Sequence, residues 1–226
     1  MSGIGLLNEK ALHASLKEWC ALPDDRFEVA VDGFVIDIVR HDMLLEIQTG
    51  SLASIKRKLQ TLARSHRIRL IYPIAEEKWI VKLPTGRGSK TTRRKSPKRG
   101  RAEDLFWEMV SLPRSLANPN FSLDVLMIRE EEVRRYEPNR AWRRRGWVTE
   151  ERRLLEVVER RSYQEPGDWR TFLPEGIDPF TANDLAEARD ISKRLAQKMV
   201  YCLRHVNVIE LIGKRGRANL YRVLQA

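Results

Sequence analysis

The order of periodic segments predicts a mixed α/β (α+β) fold around one sheet, followed by a smaller helical unit that closes on a β-ribbon. Three observations carry this expectation. Over residues 6–83, runs at helical spacing and short apolar runs follow the order α-β-β-β-α-β. A stretch without hydrophobic period, residues 83–101, then interrupts the chain. From Thr149 helical spacing prevails until two strand-like runs near the C-terminus.

Leu12, Leu16 and Trp19 place a helix near Leu6–Trp19, broken by Pro23-Asp24-Asp25. FEVAV, FVIDIV and MLLEIQ read as three strands, separated by Asp32-Gly33 and His41-Asp42. Ser51–Ser65 reads as a helix with Leu52, Ile55, Leu59 and Leu62 on its apolar face and Lys56, Arg57, Lys58 and Arg64 between them. IRLIYPI (68–74) is a fourth strand and KWIVKL (78–83) a fifth. Residues 84–101 form a basic loop or linker, and Ala102–Val110 a helix. FSLDVLMI (121–128) is a strand that either rejoins the first sheet or lies beyond a domain boundary. Residues 130–147 read as a connector, with Trp142, Trp147 and Trp169 packing it against a domain. ERRLLEVVERR (151–161), TANDLAEA (181–188) and residues 191–205 read as three helices, the second with Thr181 as N-cap and Asp184 three residues on. VIELI and NLYRVL form the ribbon around GKRGRA. The expected units are therefore a core at 1–83, the loop or linker at 84–101, an extension or connector at 102–148 and a C-terminal unit at 149–226.

The composition narrows the function classes. At 226 residues, 42% hydrophobic and 32% charged, the chain has no apolar run near the ~20 residues a membrane helix needs. Its first residues are too polar for a secretory signal, so a cytoplasmic protein with no membrane partner is expected. Cys20 and Cys202 stand alone, which argues against zinc and disulfides. The net charge of +11 is uneven: +1 over 1–83, +8 over 84–101, −5 over 102–190 and +7 over 191–226. Basicity confined to a loop and a C-terminal unit points to a polyanion partner.

The hairpin FVIDIVR-HD-MLLEIQ carries the chemistry. With His41-Asp42 as its turn, Arg40 faces Met43, Ile38 faces Leu45, and Asp37 faces Glu46. Cβ atoms of such opposed residues lie about 5 Å apart, and like charges there repel unless something binds between them. Gln48 shares their face, while Ile36, Ile38, Leu45 and Ile47 point into the core. A divalent cation would relieve the repulsion, and so would a shared proton or an arginine partner.

A helix bearing Glu9 and Glu18, then three strands with Asp37 in the second and Glu46-Ile47-Gln48 in the third, then a helix and a strand, resembles the PD-(D/E)xK nuclease superfamily over residues 6–83. The resemblance implies a restriction-endonuclease-like αβββαβ core and hydrolysis of phosphodiesters with Mg²⁺ or Mn²⁺. Asp37 and Glu46, with Glu9 or Glu18, would hold the ion, and Asp37, Glu46, Gln48 and Lys56 would form the catalytic group. Gln48 stands where lysine is usual, and Lys56 on the next helix is the candidate substitute. His13, four residues after Glu9, reads as an ordinary helix residue. Gly86–Lys90 lacks P-loop spacing.

Three helices and a β-ribbon over 149–226 resemble a winged helix-turn-helix. The resemblance makes the helix at 191–205 the DNA reader, presenting Lys193, Arg194, Gln197, Lys198 and Arg204, with Lys214, Arg215 and Arg217 at the wing. The function expected is a metal-dependent DNA endonuclease targeted by a winged helix. The rivals are a catalytically inactive nuclease-fold DNA-binding regulator and an adaptor for protein partners. A homodimer is compatible with either class.

Overall fold

The computed structural model describes residues 10–86 and 88–224. Its elements are α1 (Ala11–Cys20), β1 (Arg26–Val31), β2 (Phe34–Arg40), β3 (Met43–Ile47), α2 (Lys56–Leu62), β4 (Arg67–Lys82), β5 (Thr92–Lys95), α3 (Phe106–Met109), α4 (Pro113–Leu116), β6 (Phe121–Tyr136), β7 (Trp147–Tyr163), β8 (Phe180–Thr181), α5 (Ala182–Ala188), α6 (Lys193–His205), β9 (Ile209–Arg215) and β10 (Ala218–Val223). The architecture is mixed α+β. A seven-stranded sheet has the order β1-β2-β3-β4-β6-β7, with β5 on the edge of β4, and a three-stranded sheet has the order β8-β10-β9.

β4 and β6 form the spine, two parallel strands of 16 residues each. β3 runs parallel to the first half of β4 (43–47 against 67–71), and β5 runs antiparallel to the second half (92–95 against 79–82). The segment after β4 therefore returns to the same sheet as the edge strand β5 and does not mark a domain boundary, and FSLDVLMI rejoins that sheet beside β4. KWIVKL continues β4 instead of forming a separate strand, and residues 130–136, expected as connector, continue β6.

ERRLLEVVERR is strand, not helix, so the boundary expected at 149 falls inside β7. The register with β6 explains the misleading period. Pairing skips Glu150, Leu155 and Val158, three bulges in one strand. Each extra residue reverses the alternation of faces. Leu154 and Val157 thus pack against the same layer although three residues apart, a spacing that imitates a helix.

Two apolar layers cover the sheet. On one face Leu12 and Leu16 of α1 meet Ile38, Leu45, Ile47, Ile71, Leu126 and Ile128. On the other, α2, α3, α4 and the C-terminal unit form one continuous core. Its centre is aromatic: Phe106 lies 4.8 Å from Phe172, and Tyr163 lies 4.8 Å from Trp169 and 5.3 Å from Phe172, between ring centroids. Met199, Cys202 and Leu203 of α6 close the same core. Trp169 packs as expected. Trp142 does not, being 81% exposed.

The C-terminal unit keeps two of its three expected helices. Thr181 caps α5 by accepting from the N–H groups of Asn183 and Asp184, while the Asp184 carboxylate accepts from the N–H of Thr181. Ser192 caps α6 at the N–H of Leu195. The ribbon β9–β10 turns at Gly216-Arg217, where Gly216 has φ +63. No helix among the described residues is long and apolar enough to cross a membrane.

Because one core joins sheet and C-terminal unit, Phe106→Ala should cost about 3–5 kcal/mol and lower the whole unfolding curve as a single step. Urea unfolding followed by fluorescence and by circular dichroism checks this. Two separate transitions would contradict the continuous core.

Candidate metal centre and nucleic-acid interface

The β2–β3 hairpin has the register its turn implies: Arg40 faces Met43, Val39 faces Leu44 and Ile38 faces Leu45. His41 adopts φ +52 to make the two-residue turn. The ladder stops at Ile38–Leu45, so Asp37 and Glu46 stand just past its last rung. Pairing with β1 is interrupted at the same place. Phe27 pairs with Ile38 and Val29 with Ile36, but Glu28, opposite Asp37, has φ +53 and makes no rung. Ile36 accordingly joins the α2 layer, not the α1 layer of Ile38 as expected.

The break is filled by side-chain chemistry. Asp37 Oδ2 accepts the backbone N–H of Ile47 at 2.7 Å and lies 3.3 Å from His13 Nε2 of α1. Glu46 is buried, and its Oε2 accepts from Lys58 Nζ of α2 at 2.5 Å. Lys58 also donates to the carbonyl of Val35 at 2.5 Å. Burial alone would raise the Asp37 carboxyl, yet hydrogen bonds from His13 and Ile47, with Lys58 nearby, hold it below the usual carboxylate range. Burial, and then the charge of Asp37, push Glu46 up to about 7 despite Lys58. One carboxylate is held ionised and its neighbour is poised near neutrality, the separation that acid–base sites use.

Other expected site residues lie elsewhere. Gln48 turns into its own loop: Nε2 donates to Ser51 O and Ser54 Oγ, and Oε1 accepts from the N–H of Gly50. Lys56 is exposed, and Lys58, two residues on, reaches the carboxylates. Glu18 is exposed at the end of α1, and Glu9 lies outside the described residues. His13 is the residue that α1 brings to the pair.

The donors suit a hard cation. Two carboxylates with waters is the set Mg²⁺ commonly takes. Among the described residues, neither Asp37 Oδ1 nor Glu46 Oε1 accepts a hydrogen bond. No cluster of three or more His, Cys, Asp or Glu side chains suited to a metal occurs among them either.

The second surface is a groove of about 720 Å³ between α6 and the ribbon. Lys193, Gln197 and Arg204 line it from the helix, Arg217 and Asn219 from the ribbon. Arg215 also lines it, with its guanidinium bound to Asp184 Oδ2 and Pro179 O, both at 2.9 Å, which ties the ribbon to the start of α5. Arg194 and Lys198 point elsewhere, stacking over Trp107 at 5.6 and 5.5 Å. Lys214 is exposed opposite Asn219.

Residues 10–164 match a domain of unknown function, DUF8091. The chain belongs to this family, and the matched segment ends where β7 ends. A relative from Treponema pallidum (strain Nichols), named as an uncharacterized protein, is 28% identical over 222 residues, covering 97% of this chain and 87% of its own length. No solved structure matches the chain.

Glu46 yields a pH prediction. Its carboxyl is raised from 4.5 to about 7 in the folded state, so ionising it opposes folding. Stability relative to a Glu46→Gln variant should therefore fall as pH rises from about 4.5 to about 7, then level off. Denaturant unfolding of both proteins across that range measures the difference, and a constant difference would show that Glu46 titrates normally.

Proposed function

We propose that this DUF8091 protein is a Mg²⁺- or Mn²⁺-dependent DNA endonuclease with a restriction-endonuclease-like core, directed to DNA by a winged-helix-like C-terminal unit. The observation that carries the reading is Lys58 Nζ at 2.5 Å from Glu46 Oε2, beside Asp37 at the break in the sheet. A lysine beside two carboxylates is the resemblance's full set of charges, here delivered from α2 because the third strand carries Gln48.

Each residue has a task that follows from its surroundings. Asp37, kept ionised by His13 and the Ile47 N–H, supplies fixed negative charge at one side of the break. Glu46 supplies the second carboxylate, and its ionisation near neutrality sets the pH above which the pair acts together. Lys58 is a cation that can move from Glu46 to a phosphate oxygen and stabilise charge developing there. A bound Mg²⁺ or Mn²⁺ would lower the pKa of a water and polarise the phosphate. Gln48 shapes the 48–54 loop that leads into α2, and so places Lys58.

The C-terminal unit supports the DNA half of the reading. The order β8-α5-α6-β9-β10, a capped helix after a short turn and a basic ribbon fits a reader whose second helix enters the major groove. Lys193, Gln197, Arg204 and Arg217 would face DNA, Arg215 and Lys214 would hold and extend the ribbon, and Arg194 and Lys198 would stay on Trp107.

One observation favours the rival of a DNA-binding regulator without cleavage. The Gln48 amide is used up by its own loop and is not aimed at the carboxylates. Cleavage assays with Mg²⁺ and Mn²⁺ on single-stranded, duplex and branched DNA separate the two. The nuclease reading expects Glu46→Gln and Lys58→Ala each to lower cleavage by about 10²–10⁴-fold with unchanged DNA affinity, and Lys56→Ala to cleave as wild type. Wild-type protein that binds all three substrates and cuts none would establish the regulator instead.

Binding tests the reader. Arg204→Ala should lower the slope of log affinity against log salt by about one, as loss of a phosphate contact does, whereas Arg194→Ala should leave it unchanged. The reverse outcome would move the interface to the Trp107 side.

A further inference from the structure

The upper halves of β4, β6 and β7 carry an arm whose end is built around aromatic and basic residues. Between β6 and β7 the chain reads NRAWRRRGW, and four arginines, Arg140, Arg143, Arg144 and Arg145, are exposed around Trp142. The loop has a defined shape. Ala141 O accepts from the N–H groups of Arg144 and Gly146, Trp142 O from that of Arg145, and Gly146 O from that of Glu137. Gly146 has φ +81, and a Cβ there would meet the Tyr136 ring at 2.6 Å and Glu137 O at 3.1 Å, so a larger residue would be strained and crowded at this turn. Arg144 Nη1 anchors it from within, donating to Thr149 Oγ1 at 3.0 Å and Glu132 Oε1 at 3.3 Å. Trp147 is held between Tyr136, 5.6 Å away, and Lys82, 4.3 Å over its ring.

Trp142 is the exception in this ordered loop. It is 81% exposed, the largest exposure among the large exposed hydrophobic side chains described. Its one neighbour of note is Arg143, whose guanidinium lies 5.1 Å from the ring centroid. Arg143 and Arg145 have no ion-pair partner among the described residues, whereas Arg140 lies 3.4 Å from Glu137. A hydrogen-bonded loop that holds an indole in water, with the Arg143 guanidinium against its ring and Arg145 exposed three residues on, has the two components by which proteins hold single strands: a π-face for a base and cations for phosphates.

We propose that the β6–β7 tip is a binding site for unpaired nucleotides, with Trp142 stacking on one base and Arg143 and Arg145 on its flanking phosphates. This deepens the DNA-endonuclease reading and rests on it, since it assigns the substrate class: DNA carrying a single-stranded, flapped or frayed segment next to duplex. The α6 groove would hold the duplex and the tip the unpaired strand. A protein partner for the tip is the competing occupant.

Fluorescence anisotropy with labelled oligonucleotides tests the assignment on the full chain, using a single strand, a flapped duplex and a blunt duplex. Trp142→Ala should weaken binding to the single strand and the flap by about 5- to 100-fold and leave the blunt duplex unchanged, the loss expected for one stacked base. Trp142→Phe should restore most of the loss, because it keeps a π-face. Arg143→Ala and Arg145→Ala should each reduce the salt slope for the single strand by about 0.7. Equal weakening on all three DNAs, or no weakening on any, would overturn the tip assignment while leaving the endonuclease reading intact. Wild-type protein that binds none of the DNAs would overturn both. A wild-type dimer that Trp142→Ala converts to monomer, with DNA affinity unchanged, would give the tip to a protein contact and also overturn the proposal.

Discussion

Two carboxylates on neighbouring strands repel each other, and the surrounding fold is arranged to accommodate Asp37 beside Glu46. Regular pairing would leave both partly buried with no donor to answer them. Instead the β2–β3 ladder ends one residue early, β1 turns aside at Glu28, and the freed N–H of Ile47 goes to the Asp37 carboxylate. α1, seated on the sheet by Leu12 and Leu16, brings His13 from one side. α2, seated by Leu59 and Leu62, brings Lys58 from the other. Each layer of the fold thus contributes one nitrogen group to the same break. Burial and the Asp37 charge still push the Glu46 carboxyl up to about 7, so its charge changes near neutral pH.

How much of this was legible depends on what each signal measures. The hairpin register could be read because a two-residue turn fixes every opposed pair, and Asp37 against Glu46 follows from counting. Lys58 could not be singled out. Lys56, Arg57 and Lys58 are consecutive cations, and which of them reaches the sheet depends on how the helix is rotated. Leu59 and Leu62 set that rotation by packing inward, which leaves Lys56 outside and Lys58 at the rim. Gln48 was misleading because spacing gave its face but not its nearest partners. Ser51 and Ser54, three and six residues on, satisfy its amide locally.

β7 failed for a different reason. Hydrophobic period assumes unbroken alternation in strands, and the bulges at Glu150, Leu155 and Val158 place doublets where a helix would have them. The same bulges let a 17-residue strand follow β6 to the arm's end. Two of the arm's acids are strongly held. Glu130 is fully buried with Lys78 Nζ at 2.9 Å and Arg152 Nη2 at 2.6 Å. Burial opposes ionisation of Glu132, but hydrogen bonds from Arg134, Thr149 and Lys78 bring it down to about 2. These pairs fix the base from which Trp142 projects. The aromatic core around Phe106 then joins the sheet to α6, so the sheet that carries the break and the arm packs on the same core as the helix that lines the groove.

Anomalous diffraction from crystals soaked in Mn²⁺ above pH 7 tests the metal-centre assignment most directly. The account predicts a peak within about 2.0–2.3 Å of one oxygen of Asp37 and one of Glu46, with Lys58 displaced from Glu46. An intact Lys58–Glu46 pair with no peak beside it at saturating Mn²⁺ would contradict it.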